Sequence, residues 1–141
     1  MTPARAGATP EVTLVFDGGS RGNPGPAYGS YVVRWPGQPA ATPRRLRFGP
    51  GTNNEAEYRA LLAGLEGVLH ELPARGLEPG RTRLIVRGDS QLVLRQLEGV
   101  WKARQARLRV LRDQALGLLA SFGEVRFSHQ PRSLSVRLLG H

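Results

Sequence analysis

Apolar and polar side chains alternate over residues 11–16, and Gly18, Gly19, Gly22, Pro24, Gly25 and Pro26 follow at once. The alternation predicts a strand and the glycine/proline cluster a turn, so Asp17 is expected at the strand's carboxyl end. Residues 28–35 and 44–48 predict two more strands, joined through WPGQPAATP as a hairpin, which together form an antiparallel meander. From Asn54 the period changes: Ala56, Ala60, Leu61, Gly64, Leu65, Val68 and Leu72 recur at helical spacing. Asn53 or Asn54 serves as the N-cap of this helix, and Glu57 is expected in its first turn.

A loop punctuated by proline and glycine, PARGLEPGRT, leads to a strand predicted over 82–87 that ends at Gly88 and Asp89. Ser90 caps a short helix running to Leu97. The next helix is predicted over 104–121, with Leu108, Leu111, Ala115, Leu118 and Leu119 inward and arginines outward, and a last strand over 124–128. The order βββαβααβ predicts an α/β fold, a five-stranded mixed sheet flanked by helices. One domain is expected over 11–141, behind a flexible leader at 1–10.

Length and composition narrow the function. A chain of 141 residues buries roughly two thirds of its unfolded surface and needs no disulfide or structural metal for stability. The absence of cysteine excludes a disulfide framework and a thiolate metal site, and suits a reducing compartment. The richest leucine segment, LLAGLEGVLH, is too short and too interrupted to span a bilayer, so a cytoplasmic protein without a membrane partner is expected. The net charge of +9 is carried almost wholly by arginine, with Lys102 as the single lysine. Guanidinium forks match phosphate oxygens, which points to a polyanionic partner; a solvated cationic face is the alternative on composition alone.

Against this background the acids stand out. Aspartate occurs only at 17, 89 and 113, and two of these follow predicted strands. Ligand sites of open α/β sheets gather outside the carboxyl ends of strands, where Glu57 can join Asp17 and Asp89 from the neighbouring helix. Hard divalent cations prefer oxygen ligands, and a pair of such ions about 4 Å apart supports phosphodiester hydrolysis. Taken singly, Asp17 reads equally well as a turn former, Glu57 as a helix-dipole acid and Asp89 as an Asx turn or cap. Asp113, mid-helix among arginines, reads as a solvated ion-pair partner.

The blocks FDGGSRGNPGPAYGSYVV, TNNEAEYRALLAGL, GDSQLV, GVWKARQARLRVL and EVRFSHQPR, in this order, resemble the type 1 ribonuclease H family in its compact bacterial and archaeal-like branch. The resemblance implies an endonuclease that cuts the RNA strand of an RNA/DNA hybrid with two Mg²⁺ ions, Mn²⁺ substituting, held by four acids. Asp17, Glu57 and Asp89 match three of them. His129 matches the mobile-loop histidine that assists proton transfer or product release, an ordinary surface histidine being the alternative. Gly18, Gly19, Ser20, Gly22, Asn23, Asn53, Asn54 and Gln91 match the RNA-strand groove, where a reader of the ribose 2′-hydroxyl is required.

Trp101 and Lys102 match the DNA-strand contact, although Trp101 would also serve as a core anchor. The long basic protrusion of some members is absent, which leaves Arg104 and Arg107 to add phosphate contacts. A monomer is expected.

The resemblance stops after Arg132. The position of the family's fourth acid is Leu139, and SLSVRLLGH departs from the expected acidic, alanine-rich helix. The C-terminal carboxylate or His141 is a candidate substitute ligand. Three readings follow: a metal-dependent nuclease weakened by the missing acid, a hybrid-binding module with little or no turnover, and a structure-selective DNA nuclease on the same sheet. Asn53, Asn54 and Gln91 weigh against the third.

Overall fold

The computed structural model describes residues 8–139. Most of the expected leader, and His141 as a substitute ligand, lie outside the described residues. Five strands, β1 (Glu11–Ser20), β2 (Gly25–Arg34), β3 (Arg44–Gly51), β4 (Arg83–Gly88) and β5 (Glu124–His129), form one sheet in the order β3-β2-β1-β4-β5. The first three pair antiparallel and β4 and β5 join in parallel, so the sheet is mixed, as the sequence predicts.

The helices are α1 (Asn53–Glu71), α2 (Gln91–Leu97), α3 (Ala106–Leu119) and α4 (Arg132–Leu139). Val12, Leu14 and Phe16 of β1, Val33 of β2 and Leu84 and Val86 of β4 face one side of the sheet and meet Leu61, Leu65 and Val68 of α1 in the main core. In α3, Leu108, Ala115 and Leu119 are buried, whereas Leu111 and Leu118 only lie against the core partly covered. The opposite face has a small apolar patch of Val15, Val32 and Leu139.

Several boundaries depart from the sequence pattern. β1 does not end before Asp17: it runs on to Ser20 because Gly18, Gly19 and Ser20 pair with Gly29, Tyr28 and Ala27. The turn is confined to residues 21–24, where Gly22 has φ 102° and Asn23 has φ 31°. Asp17 nevertheless lies past the end of the parallel ladder, since the last β1–β4 pair is Val15 with Arg87. The cap of α1 is Thr52, neither Asn53 nor Asn54. Its hydroxyl accepts from Glu55 N–H while Glu55 Oε1 accepts from Thr52 N–H, a reciprocal capping box. Glu57 is therefore beyond the first turn, and the first-turn acid is Glu55. α4 was not expected from a segment that breaks the family pattern; it forms because Leu139 finds the apolar patch and Ser135 is buried against Gln130.

Candidate functional site

One carboxylate oxygen from each of Asp17, Glu57 and Asp89 lies within 4.8 Å of the others. Three elements deliver them: β1 beyond the parallel ladder, the second turn of α1, and the residue after β4. Gly18 makes the arrangement possible. A Cβ there would stand 2.3 Å from the Ala56 carbonyl oxygen, so only glycine lets β1 approach α1 this closely. At that approach Gly18 N–H donates to Glu57 Oε1 at 2.7 Å and fixes the side chain beside Asp17.

Asp17 and Glu57 are buried, and Asp89 is half-buried. Burial first, then the adjacent Asp17 carboxylate, pushes Glu57 well above the ordinary glutamate range. The Asp89 carboxyl is raised too, by burial and then by the charge of Asp17, with the Arg132 guanidinium and the Ser135 hydroxyl opposing the rise. Among the described residues no donor reaches the buried Glu57 Oε2 or Asp89 Oδ2. Such oxygens are costly unless a proton or cation meets them, and a hard divalent cation offers the all-oxygen coordination they supply. The three acids therefore fit a magnesium- or manganese-type ion.

A fourth carboxylate does not join them among the described residues. Leu139 is fully buried with Val15 and Val32 on the far face of the sheet, leaving an apolar contact at that position. Glu124 starts β5 at the opposite end of the parallel strands and pairs there with Arg83 and Arg126. Asp113 is exposed and pairs with Arg112 at 2.9 Å.

The groove candidates group around the start of α1. Ser20 N–H donates to Asn53 Oδ1 at 2.7 Å, Asn53 N–H donates to Asn23 Oδ1 at 2.9 Å, and the Ser20 hydroxyl donates to the Gly51 carbonyl at 2.7 Å. Ser20, Gly22, Asn23 and Asn53 are thus one connected rim reached from Gly18 and Gly19 along β1, with Asn54 next to it on α1. Freed from capping, Asn53 uses its side chain to tie the end of β1 to the helix, while its backbone N–H holds Asn23 of the turn.

Gln91 opens α2 and shares a cavity of ≈140 Å³ with His129, whose Nε2 lies 3.2 Å from the Asp89 carbonyl oxygen. His129 is exposed at the edge of the acid cluster. Trp101 is 45 % exposed, so it is not a core anchor. It stands with exposed Val100 and Lys102 on a separate prominence between α2 and α3. The larger ≈680 Å³ cavity lined by Thr9, Thr82 and Gly123 lies at the far end of the parallel strands, away from the acids.

Two features escape a reading of single residues. The buried Tyr58 hydroxyl donates to Gln96 Oε1 at 2.6 Å, and Gln96 Nε2 donates to the Lys102 carbonyl at 3.3 Å. This chain links the helix that carries Glu57 to the prominence that carries Trp101. A tyrosine in the middle of a buried helical face was the only hint of it. The second is Ser135, buried in the segment whose sequence departs from the family.

The protein-family model described as reverse transcriptase-like matches residues 16–136. A ribonuclease HI of Halobacterium salinarum is 38 % identical over 97 % of this chain and 63 % of its own length. A bifunctional protein of Mycobacterium tuberculosis is 37 % identical over 87 % of this chain and 32 % of its own. The chain thus spans about a third of the mycobacterial relative and less than two thirds of the archaeal one.

Among solved structures, the ribonuclease H1 of Halobacterium salinarum superimposes with a TM-score of 0.78 at 38 % identity, covering 91 % of both chains. A ribonuclease H1 in complex with an RNA/DNA hybrid gives 0.79 at 30 % identity, covering 90 % of both. With this sheet order, this grouping of acids and this extent of similarity, the chain belongs to the type 1 ribonuclease H family.

Proposed function

We propose that this chain is a divalent-metal-dependent endonuclease that hydrolyses the RNA strand of RNA/DNA hybrids. The observation that carries the reading is the convergence of the Asp17, Glu57 and Asp89 carboxylates within 4.8 Å beside an asparagine-rich rim. Bound Mg²⁺ or Mn²⁺ supplies the positive charge that activates a water and stabilises the departing ribose 3′ oxygen. Asp17, the common neighbour of the other two acids, would hold the metal together with Glu57 and Asp89. The Gly18 amide holds Glu57 oriented toward the place where the metal would sit.

The Ser20–Asn53–Asn23 rim, with Gly18, Gly19, Gly22, Asn54 and Gln91, seats the RNA strand and reads its 2′-hydroxyls. Trp101 and Lys102 take the DNA strand, held out by the Tyr58–Gln96 link. His129, exposed beside Asp89, carries a proton at its imidazole or helps product leave. The protein acts as a cytoplasmic monomer.

The buried Leu139 favours a second reading, a hybrid-binding module of low turnover, because an ion on that side has one protein carboxylate fewer. Labelled RNA/DNA hybrid, RNA duplex and DNA duplex incubated with Mg²⁺ and then Mn²⁺, beside an Asp17→Asn control, separate the two. Metal-dependent cleavage of hybrid RNA alone, lost in the control, supports the nuclease. Hybrid binding without cleavage in either metal supports the binder, and cleavage of duplex DNA overturns both.

A further inference from the structure

The α4 segment lacks the acid that the family places there, yet it is tied to the metal site by other contacts. Gln130 follows β5, and its backbone N–H donates to the Gly88 carbonyl at 2.9 Å, immediately before Asp89. Its side-chain Nε2 donates to the Ser135 hydroxyl oxygen at 2.8 Å, and both residues are buried. His129 Nε2 meets the Asp89 carbonyl at 3.2 Å. The backbone and surroundings of Asp89 are thus gripped from β5 and α4 together.

A serine hydroxyl has one proton to give. With Gln130 occupying its acceptor side, that proton must find an oxygen, because a fully buried hydroxyl without an acceptor is costly. The Ser135 hydroxyl also lies near enough to Asp89 to help hold that carboxyl down, so Asp89 is a carboxylate open to its proton. The competing acceptors are the Pro131 carbonyl one helical turn back, which is already bonded by the Ser135 amide at 3.3 Å, and Gln130 Oε1, buried without a partner, if the amide is flipped.

We propose that Ser135 is a positioning residue for Asp89: held by Gln130, its hydroxyl donates to one Asp89 oxygen and leaves Oδ2, which no described donor reaches, for the metal ion. α4 then serves the centre by orienting one of the three acids in place of adding a fourth. The inference rests on the metal-site reading above. It makes Ser135 and Gln130 matter for metal affinity, although neither touches substrate.

The test is calorimetric titration of Mg²⁺ and Mn²⁺ into the full chain without nucleic acid, with circular dichroism and melting curves to confirm that each variant folds. Ser135→Ala is expected to weaken metal affinity about tenfold, the effect typical of losing a group that orients a ligand. Gln130→Met, which removes the grip on the hydroxyl and leaves the serine in place, is expected to weaken it in the same direction and stands in if Ser135→Ala is unstable.

In cleavage assays the metal concentration for half-maximal rate should rise in parallel, with turnover at saturating metal within about twofold of the parent. Metal affinity unchanged in both variants, while Asp17→Asn abolishes metal binding, overturns the role of Ser135 and leaves the metal site standing. Equal metal affinity in Asp17→Asn and the parent overturns the metal reading itself.

Discussion

Glu57 concentrates the conflict at the heart of this site. Burial and the neighbouring Asp17 carboxylate raise it well above its ordinary 4.5. In the metal-free protein the folded state therefore holds a proton that the unfolded chain has already lost. Stability must fall as pH rises from about 4.5 through the raised folded value, and stay low above it. Asp89 is raised in the same sense and adds to the trend.

The expected outcome is a melting temperature that drops as pH rises above about 4.5 without metal, and drops less when Mg²⁺ is present to neutralise the cluster. In Glu57→Gln the metal-free drop should flatten while cleavage is lost, a trade of function for stability expected if Glu57 serves the proposed reaction. A melting temperature for the metal-free parent that rises over this range relative to Glu57→Gln contradicts the assignment. Gly18 is the second residue on which the centre depends. Gly18→Ala forces a methyl group to within 2.3 Å of the Ala56 carbonyl and must separate β1 from α1. A loss of about 3 kcal/mol is expected from such overpacking, with hybrid cleavage abolished, as read by chemical denaturation and the cleavage assay.

Among the elements, α1 and α4 show where pattern suffices and where it does not. The buried stripe of α1, from Ala56 to Val68, was legible because helical periodicity reports burial directly. Its cap was not. Thr52, Asn53 and Asn54 are all good capping residues in a row, and the choice falls to Thr52 because Glu55 stands three residues on and closes the capping box. That single shift moves Glu57 out of the first turn and frees Asn53 for the Ser20–Asn23 rim. Thr52→Ala should cost about 1 kcal/mol in denaturation while leaving the side-chain link from Asn53 to Ser20 in place.

The end of β1 was misplaced for a related reason. Glycine clusters signal turns, but Gly18 and Gly19 are there for close approach within a strand, as pairing with β2 shows. The three acids could be named from sequence because strand ends and a helix are readable. Ser135 and Gln130 could not, since their contact depends on α4 folding back onto the site.

On the scale of the whole molecule, charge is expected to decide how the proposed hybrid substrate is held. Exposed arginines occur in two groups, Arg104, Arg107 and Arg109 on and before α3 and Arg44, Arg45 and Arg47 on the edge strand β3. Arg107 also reaches toward Glu55 at the start of α1, 4.0 Å away, so the α3 arginines sit close to the RNA-side rim. With net charge +9 and no long basic protrusion, these surface guanidiniums must supply the phosphate contacts, and contacts of this kind release counterions. If about four phosphates are neutralised, affinity for hybrid should fall roughly a hundredfold between about 50 and 200 mM salt.

The measurement is hybrid binding by Asp17→Asn across that range, since the variant should bind without cutting. Replacing Arg104 and Arg107 together by alanine should lower the slope of log affinity against log salt by about two contacts' worth and weaken all sequences alike. A slope near zero in the parent would mean that the arginine surface is only a solvated face, and that the rim around Asn53 must hold the hybrid through hydroxyl and base contacts alone.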